Sequence, residues 1–200
     1  MRQFSWHDGC PTPLADLVLL RLNHYGYDGA IHDGELVVHA DLADEVLAIF
    51  RSLFEQHFPI EKMRLIEVYE GSDDASMSDN NTSGFNCRFV KGKTGSFSKH
   101  SRGRAIDINP RTNPMVVPMV VPMVVPMDPP MVVPVDPPMV APVDGGERVF
   151  PPSGAAFLNR SRPAPGMLRA HSRAVLAFKR RGWTWGGTWS SLKDYQHFEK

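Results

Sequence analysis

The chain has 200 residues, 22 Lys+Arg against 22 Asp+Glu for a formal net charge of zero, 18 prolines and two cysteines. That length favours one domain with a sizeable core. The balanced charge offers no whole-chain field to hold a nucleic-acid backbone or an anionic membrane, and no apolar run is long enough to span a bilayer as a helix. A single soluble, monomeric domain that binds no nucleic acid and crosses no membrane is therefore expected. Residues 1–10 lack the uninterrupted apolar segment of a secretory signal, which predicts a cytoplasmic product as synthesised. Cys10 and Cys87 allow at most one bridge, which is no disulfide framework, so buried or idle thiols are expected.

In chain order, residues 12–23 predict a helix, with Leu14, Leu17, Val18 and Leu22 at helical spacing, Thr12 as cap and Gly26 beyond the end. Asp41 is placed to cap a second helix over 42–56, where Val46, Ile49, Phe50, Leu53 and Phe54 form a wide apolar face that Pro59 ends. Residues 64–69 and 85–90 predict strands, separated by a polar loop over 71–84. Residues 104–109 predict another strand, in which Ile106 and Ile108 point one way and Ala105, Asp107 and Asn109 the other. A third helix is expected over 167–181, with Leu168, Val175, Leu176 and Phe178 inward and a basic C-terminal end that suits its dipole. The tail, 183–198, alternates aromatics with glycines and predicts the last strands. This alternation suits an α+β or an α/β sheet equally.

Residues 114–143 hold 10 of the 18 prolines and 6 of the 10 methionines, in tetrads such as MVVP, MDPP and VDPP. Proline at that density excludes helix and central strand, leaving polyproline II or disorder that reaches on the order of 90 Å when extended. A period of four does not match three residues per turn, so no single docking stripe forms. The segment, with bounds 114–146, is expected to be a low-complexity surface insert within one domain spanning 1–200.

Six of the eight histidines sit in unremarkable polar surroundings. His100 differs: it precedes a glycine turn, and Asp107 follows on a strand, aimed off the core face. With His197 near the end of the chain, these make two imidazoles and one carboxylate, the three-ligand set of a catalytic zinc that leaves a fourth position for water. Asp194 is then free to act as a base. Spacing alone permits the bland alternative of a hydrogen-bonded Asp107 beside a capped turn.

The pattern Ser98-x-His100-x-x-Gly103-x-Ala105-x-Asp107, followed by Asp194-x-x-His197, resembles the signature of the D-alanyl-D-alanine carboxypeptidase-like zinc metallopeptidases. These cut bacterial cell-wall stem peptides. Ser76 to Arg88, Asp107-Ile108-Asn109-Pro110 and the run from Gly182 to Trp189 extend the resemblance to about residues 58–198, the insert aside. It implies an α+β fold, with an antiparallel sheet, helices on one side and zinc in a cleft on the sheet. It implies zinc on His100, Asp107 and His197, Asp194 as general base, and Arg88 holding the substrate's carboxylate or carbonyl oxygen, with Arg64 as the rival. Trp183, Trp185 and Trp189 resemble a cleft wall, whereas composition makes at least two of them core aromatics.

The substrate class so implied is the peptidoglycan stem peptide or muropeptide, with action at the cell wall. An aspartate at position 194 leans toward relatives that cut between L-alanine and D-glutamate, and the broader carboxypeptidase-like reading covers both. A second class is a zinc-binding module without catalysis, as in the hedgehog domain of the same scaffold, and a third is an interaction protein using the Pro-rich insert. The family roles require a bend between Asp194 and His197, since residues three apart on an extended strand face opposite ways.

Overall fold

The computed structural model describes residues 1, 3–90, 93, 95–118, 142–143 and 146–200. The first element is a hairpin where a helix was expected: β1 (Leu17–Tyr25) pairs antiparallel along its whole length with β2 (Ile31–His39). Leu20, Leu22 and His24 are buried while Leu19, Arg21 and Asn23 are exposed, a period of two that the partner strand fixes. Val18 and Leu22, four apart, fit both periods in sequence, and the second strand decides between them.

The helix α1 (Ala43–Glu55) forms as its apolar spacing predicts, burying Val46, Ile49, Phe50 and Leu53 against β1 and the third helix. Asp41 does not cap it. It lies in a preceding 3-10 turn, Ala40–Leu42, and pairs with Arg104 at 2.9 Å.

Between residues 60 and 100 the chain is less regular than its apolar runs suggest. A two-residue strand β3 (Lys62–Met63) precedes a 3-10 turn, Ile66–Tyr69, in place of the strand expected over 64–69. The polar run contains a short helix, α2 (Asp73–Ser78), because the Ser72 hydroxyl accepts a hydrogen bond from the Ala75 amide and starts it. It leads into β4 (Asn81–Thr82), parallel to β3. Residues 85–90 join no ladder beyond one bridge, Phe89 with Phe97. Their amides serve other segments: Phe85 N–H donates to Val37, and Cys87 N–H to Ser5. Cys87 is also disulfide-bonded to Cys10, so neither thiol is idle.

The site rests on two small antiparallel sheets. One has β5 (Ala105–Asp107), β9 (Thr184–Trp185) and β11 (His197–Glu199), in the order β5-β11-β9. The other has β6 (Met115–Pro118), β7 (Pro142–Val143), β8 (Glu147–Phe150) and β10 (Lys193–Asp194), in the order β10-β6-β8-β7. Thus the start of the proline-rich segment is a central strand, contrary to expectation. Met115, Val116 and Val117 lie between two prolines, and the ladder closes at Pro118 against Glu147. Residues 119–141 and 144–145, the bulk of the expected polyproline insert, lie outside the described residues.

The last helix, α3 (Arg173–Lys179), is half the expected length. Ser172 caps it through the Val175 amide, and the chain before it turns at Gly166, with φ +67°. Phe178 of α3 stacks on Phe198 of β11 at 3.9 Å between centroids. Both are fully buried, with Trp183, Trp185, Ile106 and the inner face of α1. The architecture is mixed helix and sheet, with antiparallel sheets apart from the β3–β4 pair. Among the described residues the strands divide into four small sheets rather than the single one expected.

Candidate active site

Three side chains converge where β5 and β11 meet. Asp107 ends β5, directly across the antiparallel ladder from His197 at the start of β11, and directly opposed residues on one face approach closely enough to interact. The Asp107 Oδ1 lies 2.9 Å from His197 Nδ1. His100 arrives from the 3-10 turn Lys99–Arg102, whose start is held by the Ser98 hydroxyl accepting from the His100 amide. Its Nε2 lies 3.1 Å from Asp107 Oδ2 and 3.3 Å from His197 Nδ1.

Two glycines make this approach possible. Gly103 ends the turn with φ +63°, and a Cβ there would stand 2.5 Å from the His39 amide nitrogen. Gly84 lies so close to β2 that a Cβ would meet the Val37 carbonyl at 2.4 Å. That proximity puts the Gly84 carbonyl 2.6 Å from His100 Nδ1.

The outer nitrogen of each imidazole therefore has an acceptor: His100 Nδ1 donates to Gly84, and His197 Nε2 to the Glu199 carboxylate at 3.2 Å. With the hydrogens placed there, the neutral rings aim the lone pairs of His100 Nε2 and His197 Nδ1 at Asp107. Three ligand atoms, one from each residue, lie within 4.8 Å of one another, and all three residues are buried. A divalent cation satisfies this donor set, and so would two extra protons. In the metal-free protein, burial opposes charge on His197, but its bonds to Asp107 and Glu199 prevail and push it up to about 10. Burial alone would raise Asp107, yet the charge and hydrogen bonds of His100 and His197 hold its carboxyl well below the usual carboxylate range. A buried carboxylate held ionised beside two imidazoles is the electrostatic condition a cation would meet.

Asp194 lies on β10, in the other sheet, and the two residues Tyr195 and Gln196 carry the chain from there to β11. That change of sheet is the bend the sequence left unexplained. Its carboxyl is buried, its Oδ1 has no hydrogen-bond partner, and it feels the charges of His197, Asp107 and His100. Burial, opposed by His197 and reinforced by Asp107, pushes it up to about 7.

The remaining expected residues divide. The Arg88 guanidinium is held by Asp73 at 2.8 Å, while its buried Nε has no partner. Arg64 is exposed, and its charge acts on Tyr69 and Asp79. Trp183 and Trp185 are core residues, but the Trp189 ring lies 5.4 Å from that of His197. Glu199 and Gly84 were missed. Glu199 was legible, since it stands two residues from His197 on one strand face; the Gly84 carbonyl was not, because its position depends on the packing against β2. Another cluster, His7 with Cys10 and Cys87, has both sulfurs joined in the disulfide, leaving one imidazole.

The family model described as D-alanyl-D-alanine carboxypeptidase matches residues 91–200. The matched region contains His100, Asp107, Asp194 and His197, and excludes Arg64 and Arg88. No curated protein and no solved structure matches the chain.

Proposed function

Because the chain belongs to the D-alanyl-D-alanine carboxypeptidase family of peptidases, we propose that it is a zinc-dependent hydrolase of an amide bond in cell-wall stem peptides, acting within one domain that carries the proline-rich insert. The observation that carries this reading is the convergence of His100, Asp107 and His197, each ring with its outer nitrogen bonded elsewhere. These three would hold the metal. When bound, zinc supplies a Lewis acid that lowers the pKa of water and polarises a carbonyl.

The chain's own groups do the rest. Asp194, buried and with a free Oδ1, takes the proton of the attacking water and delivers it to the nitrogen of the leaving amine, a role that contributes about 10²–10⁴-fold. The withdrawal of solvent around it strengthens each charge in the site. Arg88 offers its uncommitted Nε–H to the substrate's carboxylate or carbonyl oxygen while Asp73 anchors the far end of the guanidinium. Trp189 borders the site beside His197.

The aspartate at 194 favours, as a second reading, cleavage between L-alanine and D-glutamate within the same substrate class. Mass spectrometry of products from defined muropeptides separates the two: release of terminal D-alanine supports the first, a cut after L-alanine the second. Asp194→Ala is expected to keep its zinc and lose turnover by at least about 10²-fold. Undiminished turnover would remove Asp194 from the mechanism. Zinc binding without cleavage by the wild type would leave a non-catalytic module.

A further inference from the structure

The zero net charge conceals a strong segregation. Residues 148–193 contain nine Lys and Arg and not one Asp or Glu. Part of this charge is structural: half-buried Arg160 lies over the Tyr195 ring and donates to the carbonyls of Thr112 and Leu168. Another part lines a groove of about 760 Å³ between α1 and α3, edged by Arg173, Arg180 and Arg181 with no acidic residue. Arg173 and Arg180 stand seven residues apart, two helical turns and so about 10 Å along one face. Between them Ala177 provides a low floor, and the opposite wall is Ser52 and Gln56, whose side chains bond each other at 2.9 Å.

Among the described residues neither the Arg173 nor the Arg180 side chain has an ion-pair or hydrogen-bond partner, and both are exposed. Arg173 also opens the first turn of α3, where the helix dipole disfavours a cation. Three clustered guanidiniums with no internal counter-charge raise the local potential and attract an anion. An adjoining groove past Arg181 adds Arg21 and Arg51, diluted there by Asp44 and Glu55.

The groove lies away from the triad. On β11, Phe198 faces α3 and packs on Phe178, whereas His197 and Glu199 point to the other side of the strand. A polymer seated on the arginines leaves the catalytic residues open.

The geometry points to a docking surface for a phosphate-bearing polyanionic polymer of the cell wall, which holds the peptidase on an insoluble substrate. The choice of a wall polymer rests on the proposed wall-peptide function; the anion preference rests on the groove. Phosphate oxygens suit the planar guanidinium forks, which bind them with two parallel hydrogen bonds. Successive phosphates along a flexible chain match a row of charges better than one small anion does.

The test uses the zinc-loaded full chain and fluorescently labelled poly(glycerol phosphate), read by anisotropy. Wild type is expected to bind at about 50 mM salt and to weaken at least tenfold by about 500 mM. Arg173→Glu with Arg180→Glu lowers affinity at least tenfold, and the milder pair Arg173→Gln with Arg180→Gln falls between. Both pairs cleave a soluble muropeptide within about twofold of wild type. The proposal is overturned if wild type does not bind, if the variants bind equally well, or if duplex DNA or anionic vesicles bind the same arginines more tightly. Loss of hydrolysis in all three proteins, with the wild type still binding the polymer and the variants weakened as expected, would overturn the peptidase reading alone and leave the docking surface standing.

Discussion

Glu199 gives the sharpest test of how the candidate metal centre is held. Its Oε2 accepts from His197 Nε2 at 3.2 Å, and this contact places the ring hydrogen on Nε2 and the lone pair on Nδ1, toward Asp107. Glu199→Ala frees the ring to rotate and to exchange tautomers. Deleting an outer partner of a metal-bound histidine typically costs 10–100-fold in affinity, about 1.4–2.7 kcal/mol. The Glu199 side chain is 28% exposed, so its charge is partly screened and the lower half of that range is expected. Glu199→Gln keeps an acceptor oxygen on Nε2–H and should stay within about fivefold of wild type. Zinc competition against a chromogenic chelator measures both, with circular dichroism confirming the fold. An alanine variant that binds zinc within twofold of wild type would refute the reasoning, and a glutamine variant as weak as alanine would show that charge, not orientation, is what matters.

Phe198→Ala empties a fully buried position stacked on Phe178 and is expected to cost about 3–5 kcal/mol in denaturant unfolding; a loss below about 1 kcal/mol would mean the core collapses around the gap. The Cys10–Cys87 bridge spans 77 residues, so the Cys10→Ser/Cys87→Ser pair should lose about 2–4 kcal/mol and lower Tm by roughly 5–15 °C, whereas an unchanged Tm would show the bridge contributes nothing. Burial, with His32 adding to it, holds His24 below its ordinary value against its bond to the Tyr25 carbonyl. The unfolded chain then takes up a proton near pH 6.5 that the folded one refuses, so this part of stability is complete above that pH and declines as pH falls through it. Urea titrations from pH 7.5 down to 5.5 should show a smaller decline for His24→Gln, and an equal decline would exonerate His24.

The convergence of the candidate ligands was more legible than the framework that positions them. His100, Asp107 and His197 stand in a spaced pattern that survives without knowledge of the fold, and the structure brings them together. The strand alternation around Asp107 and the apolar stripe of α1 were likewise local signals. The first hairpin was not, because Val18 and Leu22, four apart, fit one face of a helix and one face of a strand alike, and the partner strand that decides begins fourteen residues after β1 does. The length of α3 depends on one hydroxyl, that of Ser172, which competes as a cap with the apolar spacing upstream. The Cys10–Cys87 pairing and the Gly84 carbonyl are products of long-range packing that no window of sequence contains. Proline density misled at Met115–Pro118, where three residues between prolines suffice for a short ladder.

The central claim is that His100, Asp107 and His197 share one metal. Crystals of the zinc-loaded protein, with diffraction recorded on both sides of the zinc absorption edge, test it most directly. The account predicts one strong anomalous peak per chain, bonded to His100 Nε2, an Asp107 carboxylate oxygen and His197 Nδ1, and absent from His197→Ala crystals. No peak there, or a peak held by other residues, would contradict it.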